Sequence, residues 1–141
     1  DELFVAEKGK GAYVHGKRLA VSKEQTLEQS LLASGFPADP SYALPLNLQS
    51  MVHLAPKVRN IRAAGSAALH LAHLAAGRLT GFWEYNLNSW DLAAGSLILQ
   101  EAGGTITDIE GSPYQLEVRN VVATNGHIHQ ELLQELRKSN Q

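Results

Sequence analysis

The residues with the most chemical promise are two carboxylates and one glycine-led helix start. Asp91 falls in the first turn of a predicted helix, behind Asn88, Ser89 and Trp90, where the positive end of the helix dipole stabilises an acid. A hard cation such as Mg²⁺ wants the same thing, an oxygen ligand on a rigid element beside a phosphate. Helix capping and metal ligation predict one placement, so position alone leaves both open. Glu84 stands in the aromatic stretch from Leu79 to Tyr85. Strand alternation puts it on the Phe82 face, opposite Trp83 and Tyr85. A carboxylate half-buried beside a ring needs partners such as substrate hydroxyls, whereas an acid on an exposed strand edge needs none. Gly65-Ser66-Ala67-Ala68 opens another helix. Small residues there let an anion or a hydroxyl reach free backbone N–H groups. The same pattern also serves as a Ser N-cap followed by alanines that permit close helix packing.

Other chemistries find less support. His70 and His73 share one predicted helix and His127 and His129 lie near another start, but neither pair makes a His-Glu-x-x-His or Cys-containing zinc pattern. No Gly-x-Ser-x-Gly elbow follows a strand, which argues against a serine hydrolase triad. Cysteine is absent, removing disulfides, thiolate metal sites and cysteine nucleophiles. A formal net charge of -2 gives no basic footprint for nucleic acid or an anionic membrane, so phosphate recognition has to be local. No apolar run approaches the ~18 residues of a membrane span, and the expectation is a soluble chain without membrane or nucleic-acid partners.

These groups must be positioned by one ordinary domain: 141 residues, 44% hydrophobic and 18% charged, enough to bury a core. Glycines at 9, 11 and 16 break the stretch from Leu3 to Val21 into two or three short strands. Ser30 to Ala33 is a further apolar run, closed by a loop from Gly35 to Pro40. Apolar residues at Leu44, Leu48, Met51, Val52 and Ala55 predict one face of a helix from Leu44 to Val58. Brief strand character at Asn60 to Arg62 precedes a helix from Ala67 to Ala76, ended by Gly77. Leu79 to Tyr85 reads as a strand, about Trp90 to Ala102 as a helix ended by Gly103-Gly104, and Thr105 to Ile109 and Val121 to Thr124 as strands. A last helix from about His127 to Lys138 carries Ile128, Leu132, Leu133 and Leu136 on one face. Strands and helices in alternation argue for an α/β layered domain with helices packed on a sheet. The chain begins at Asp1 and enters at once into Leu3-Phe4-Val5-Ala6, from which a fragment or processed chain is expected.

With the elements in place, a resemblance emerges. Arg62-Ala63-Ala64-Gly65-Ser66-Ala67-Ala68-Leu69, Gly77-Arg78-Leu79-Thr80-Gly81-Phe82-Trp83-Glu84, Trp90-Asp91-Leu92-Ala93-Ala94-Gly95 and Glu101-Ala102-Gly103-Gly104 occur in an order and spacing that resemble the inositol monophosphatase family. The likeness begins near Asp1-Glu2-Leu3-Phe4 and Gly11-Ala12-Tyr13 and weakens after Gly126. It implies the carboxyl-terminal portion, residues 1–141, of a layered α/β sandwich of the inositol monophosphatase and fructose-bisphosphatase type. It implies Mg²⁺-dependent hydrolysis of a small polyol's phosphate monoester, inositol 1-phosphate first, with histidinol phosphate, galactose 1-phosphate or a nucleotide 3′-phosphate as alternatives. Asp91 then corresponds to a Mg²⁺ ligand that also approaches the substrate, Gly65, Ser66 and Ala67 to the segment contacting the sugar, and Glu84 to the acid that bonds its hydroxyls. His70 stands where relatives commonly have an acid and is assigned no role.

The family's other metal ligands, an upstream Glu and an Asp-Pro-x-Asp-Gly-Thr motif, have no counterpart in this sequence. One carboxylate cannot hold two or three hard cations against water, so the chain alone is expected to have little activity and its full-length parent to have it. The resemblance further implies a homodimer when full length and a cytoplasmic location, with an organelle such as the plastid left open. A non-catalytic dimerising or regulatory module is the rival class. Retention of Asp91, Glu84 and Gly65 together argues against it.

Overall fold

The computed structural model describes residues 1–141. Three short strands, β1 (Phe4–Ala6), β2 (Ala12–Val14) and β3 (Lys17–Arg18), form an antiparallel meander. The rest of the chain builds a second, five-stranded sheet from β4 (Leu31–Ala33), β5 (Asn60–Arg62), β6 (Gly81–Glu84), β7 (Thr105–Asp108) and β8 (Val121–Thr124). Its order is β5-β4-β6-β8-β7, with β4 parallel to both β5 and β6 and β8 antiparallel to β6 and β7. The first three strands thus form a small sheet of their own, separate from the sheet the helices cover. The mixed sheet with helices on both faces is the α/β layered sandwich the sequence predicts.

Four helices cover the large sheet: α1 (Ala43–Leu54), α2 (Ala67–Ala75), α3 (Ser89–Glu101) and α4 (His129–Ser139). Side chains alternate across it. Ala33, Phe82, Val121 and Ala123 join the core beneath α2 and α3, while Leu32, Trp83 and Val122 join the core beneath α1 and α4. Both faces of β6 are therefore covered, as its apolar run Phe82-Trp83 requires. Glu84 follows Phe82 to the α2 and α3 side.

The signature glycines and Glu101 explain how α3 is seated. A Cβ on Gly95 would lie 2.7 Å from Leu71 Cβ, so its absence lets α3 approach α2 closely. The Glu101 carboxylate accepts hydrogen bonds from the N–H groups of Gly11 (2.8 Å) and Gly9 (3.1 Å), tying the β1–β2 turn to the end of α3. Gly103 ends the helix at a φ of +91°, a left-handed conformation that costs a side-chain-bearing residue about 1 kcal/mol or more. A Cβ on Gly104 would stand 2.9 Å from the Thr124 carbonyl oxygen.

Helix α1 departs from its predicted face. The stripe Leu44, Leu48, Met51, Val52, Ala55 is not the inner face: Leu48 is 44% and Val52 76% exposed, and of the five Met51 alone packs against a core cluster. The buried positions are Ala43, Asn47, Ser50 and Leu54. Two polar residues occupy the core side because each finds partners. The Asn47 amide donates to the Gly35 carbonyl, and the Ser50 hydroxyl lies 3.1 Å from both Tyr85 Oη and Ser139 Oγ. A satisfied polar side chain can be buried like an apolar one, and a count of apolar spacing cannot see this. The helix also stops at Leu54, where a 3₁₀ turn, Ala55–Lys57, takes over with Pro56 inside it; proline has no N–H to continue the α-ladder. Helix α4 starts at His129 rather than His127 because the Asn125 side chain accepts from the N–H groups of His127 (3.0 Å) and Ile128 (3.4 Å), holding that segment as a turn.

Candidate functional site

Close packing of α2 on α3 brings their N-termini to one end of the sheet, beside the end of β6. A cavity of about 280 Å³ opens there, lined by Gly65, Ser66, Ala67 and Ala68 from the α2 start, Glu84 from β6, Leu87, Trp90 and Asp91 around the α3 start, and Gly35 and Phe36 after β4. All five residues singled out from the sequence, Gly65, Ser66, Ala67, Glu84 and Asp91, line this one cavity.

Each is held by identifiable local chemistry. Gly65 has a φ of +81°, and a Cβ there would meet no heavy atom within 4 Å, so the backbone conformation and not crowding demands glycine. The Ser66 hydroxyl caps α2 by accepting from the Leu69 N–H at 3.3 Å. The N–H groups of Ala67 and Ala68 are left without intrahelical partners at the positive end of the dipole. The loop before them is fixed by buried His70, whose Nε2 accepts from the Ala64 N–H at 3.0 Å while its ring packs on Phe82. An accepting Nε2 requires a neutral ring. Burial lowers the His70 pKa, and the charge of His73 lowers it further. Sequence reasoning assigned His70 no role, yet it orders the segment carrying Gly65.

Asp91 fills the capping role its position allowed and keeps an oxygen spare. Its Oδ2 accepts from the Asn88 N–H at 2.9 Å, as in a capping box, and Oδ1 is left for another ligand. Glu84 is different: no protein donor reaches it, and its pKa is raised from 4.5 to about 7, by burial first and by the negative charge of Asp91 second. Gly35 leaves room for it, since a Cβ there would fall 2.6 Å from Glu84 Oε2 and closer still to Oε1. Gly35, Phe36, Leu87 and Trp90 were missed as cavity residues. The first two read only as loop chemistry, and Trp90 only as the neighbour of Asp91.

The donor set suits part of a site for a hard cation. Asp91 Oδ1 is the spare carboxylate oxygen that a divalent ion could take, and Glu84, whose pKa is raised by burial first and by the Asp91 charge second, shares the cavity with it. No group of three or more acidic or histidine side chains converges anywhere in the chain, so a complete cage is not built from these residues alone.

The sequence model of the inositol monophosphatase family matches residues 1–141. The chain belongs to the inositol monophosphatase family. An inositol-1-monophosphatase from Synechocystis is 42% identical over 96% of this chain and 47% of its own length. A protein from Pseudomonas aeruginosa named Nus factor SuhB is 43% identical over 94% of this chain and 49% of its own. Among solved structures, an inositol monophosphatase from Anabaena superposes with a TM-score of 0.91 at 37% identity, covering 98% of this chain and 55% of the other. The chain thus spans about half the length of these members of the inositol monophosphatase family. No helix in it is long and apolar enough to cross a membrane.

Proposed function

We propose that this chain forms the carboxyl-terminal half of a Mg²⁺-dependent phosphatase that hydrolyses the phosphate monoester of a small polyol, inositol 1-phosphate first. The observation that carries this reading is Glu84, a partly buried carboxylate without a protein donor, sharing a cavity with Asp91 and the N-termini of two helices. Such an acid calls for hydroxyl donors from a ligand. The helix N-termini offer N–H groups and positive potential to that ligand's oxygens. The names carried by its relatives point the same way.

In this reading Asp91 Oδ1 is one ligand of a Mg²⁺ site completed by residues outside the chain. When bound there, the metal would supply positive charge at the phosphoryl oxygens and would lower the pKa of a water it holds. The chain's own residues orient the ester. The α2 start, Gly65, Ser66 and Ala67, contacts the polyol, and Glu84 accepts from its ring hydroxyls. The Gly65 backbone keeps the approach open. Water adds to phosphorus as the phosphorus–oxygen bond to the polyol breaks, releasing the alcohol and inorganic phosphate. We place the whole protein in the cytoplasm as a homodimer.

Asp91→Asn decides the assignment. Its amide oxygen can still accept from the Asn88 N–H, so the fold is retained. In the full-length protein, Mg²⁺-dependent phosphate release from inositol 1-phosphate should fall by 10²-fold or more; unchanged turnover and Mg²⁺ dependence would sink the reading. Residues 1–141 alone should release little or no phosphate.

A further inference from the structure

The loop leaving β4 is held unusually firmly for a surface segment. Ser34 and Asn47 are both 0% exposed. The Ser34 hydroxyl donates to the Trp83 carbonyl at 2.7 Å, and the Asn47 amide donates to the carbonyl of Gly35. Two buried polar side chains, which cost free energy unless bonded, are committed to fixing the two residues before Phe36. Phe36 itself is 61% exposed. It lines the cavity that holds Glu84 and Asp91, and on its other side it lines an apolar groove with Met51, Val52, Ala55 and Ile61. A large apolar ring on a pinned loop, turned toward water at the rim of a polar cavity, is an apolar surface kept ready for a ligand.

The cavity is polar at the N–H groups of the α2 start and at Glu84 and Asp91, and its large apolar side chains are Phe36, Leu87 and Trp90, of which Phe36 faces the cavity from the β4 side, across from the α3 start. A phosphorylated ring polyol has matching parts: a phosphate, an edge of hydroxyls, and a face of C–H groups. An open-chain polyol has the first two but no fixed apolar face.

We propose that Phe36 is a specificity-determining wall, on which the C–H face of a cyclic polyol packs while Glu84 takes its hydroxyls, so that ring phosphates are selected over open-chain ones. This deepens the polyol-phosphate reading above and rests on it. The contact buries apolar area on a rigid aromatic and discriminates by about tenfold, as one apolar increment in a pocket does.

The test compares Phe36→Ser and Phe36→Leu with the unaltered full-length protein, using inositol 1-phosphate and glycerol 2-phosphate with Mg²⁺. Because Phe36 is exposed, unfolding midpoints should stay within a degree or two. Phe36→Ser should raise KM for inositol 1-phosphate about tenfold, leaving its kcat and the KM for glycerol 2-phosphate within about twofold; Phe36→Leu should lie between. Equal rises for both phosphates, or no change for either, overturn the proposal while leaving the phosphatase reading intact. If the unaltered protein hydrolyses neither compound, the activity reading fails. Phe36 is then judged by titrating inositol 1-phosphate in EDTA, where equal affinity of the unaltered protein and the Phe36→Ser variant overturns its role as well.

Discussion

Replacing Glu84 by Gln should stabilise the metal-free protein at alkaline pH and leave it almost unchanged at pH 4. The Glu84 carboxyl titrates at about 7 in the fold against an ordinary 4.5, chiefly through burial and then through the charge of Asp91. Its folded pKa lies above its unfolded one, so the favourable contribution is fully present below pH 4.5 and is lost as pH rises through about 7. Each tenfold change in proton affinity corresponds to about 1.4 kcal/mol, which gives roughly 3 kcal/mol for complete ionisation. Glu84 is partly open to solvent, and screening reduces this to about 1–2 kcal/mol. Gln keeps the shape and removes the charge. In EDTA at pH 8.5, thermal unfolding of Glu84→Gln should occur about 3–8 °C above that of the unaltered protein, with the difference vanishing at pH 4. Turnover of inositol 1-phosphate should fall through a higher KM, because the hydroxyl acceptor is weakened. A variant equally stable to the unaltered protein at pH 8.5 would refute the claim that an unpartnered, ionising carboxylate is held in the cavity.

Gly35→Ala places a methyl within 2.6 Å of Glu84 Oε2 and strains the carbonyl bonded by Asn47; chemical denaturation should show a loss of about 1–3 kcal/mol, and KM for the polyol ester should rise. His129 is clamped between Thr107 Oγ1 and Thr124 Oγ1, both at 2.9 Å, and burial lowers its pKa to about 4. Its folded pKa lies below the unfolded 6.5, so the stability it contributes is present above 6.5 and is lost as pH falls toward 4. His129→Phe should flatten that acid limb in urea titrations while costing about 1–3 kcal/mol at pH 7, because two buried hydroxyls each lose one of their two hydrogen bonds. His70→Leu removes the acceptor of the Ala64 N–H; about 1–2 kcal/mol of stability should go, and amide exchange at Ala64 should quicken.

Much of the fold is legible in the sequence because its signals are local. Gly103-Gly104 and the β-branched run after it mark a helix end and a strand, and Phe82-Trp83 marks a strand covered on both faces. The five site residues, which line one cavity, sit at helix starts and a strand end, where capping and ligand binding predict the same placement, so the family resemblance and not main-chain chemistry singles them out. What stays hidden depends on partners distant in the chain. Asn47 reads as a surface residue of α1 until the Gly35 carbonyl lies beside it, and the true inner face of that helix turns on this bond. Phe36 reads as part of a loop breaker until the cavity opens next to it. His70 reads as an unassigned helical histidine until its ring meets Ala64.

The signature that identifies the family is mostly architecture. Of Trp90-Asp91-Leu92-Ala93-Ala94-Gly95 and Glu101-Ala102-Gly103-Gly104, only Asp91 carries a group suited to the proposed reaction. Gly95 admits Leu71 and sets the helix spacing, Glu101 ties down the meander turn, and Gly104 clears the Thr124 carbonyl. Together they decide where the N-termini of α2 and α3 stand, and hence how far Asp91 lies from Ala67 and from Glu84. A match to this pattern therefore reports a geometry first and a chemistry through one residue. Glu84 is the independent support for the proposed function, since an ionising side chain without a protein partner lowers stability and is tolerated where a ligand supplies what the fold does not.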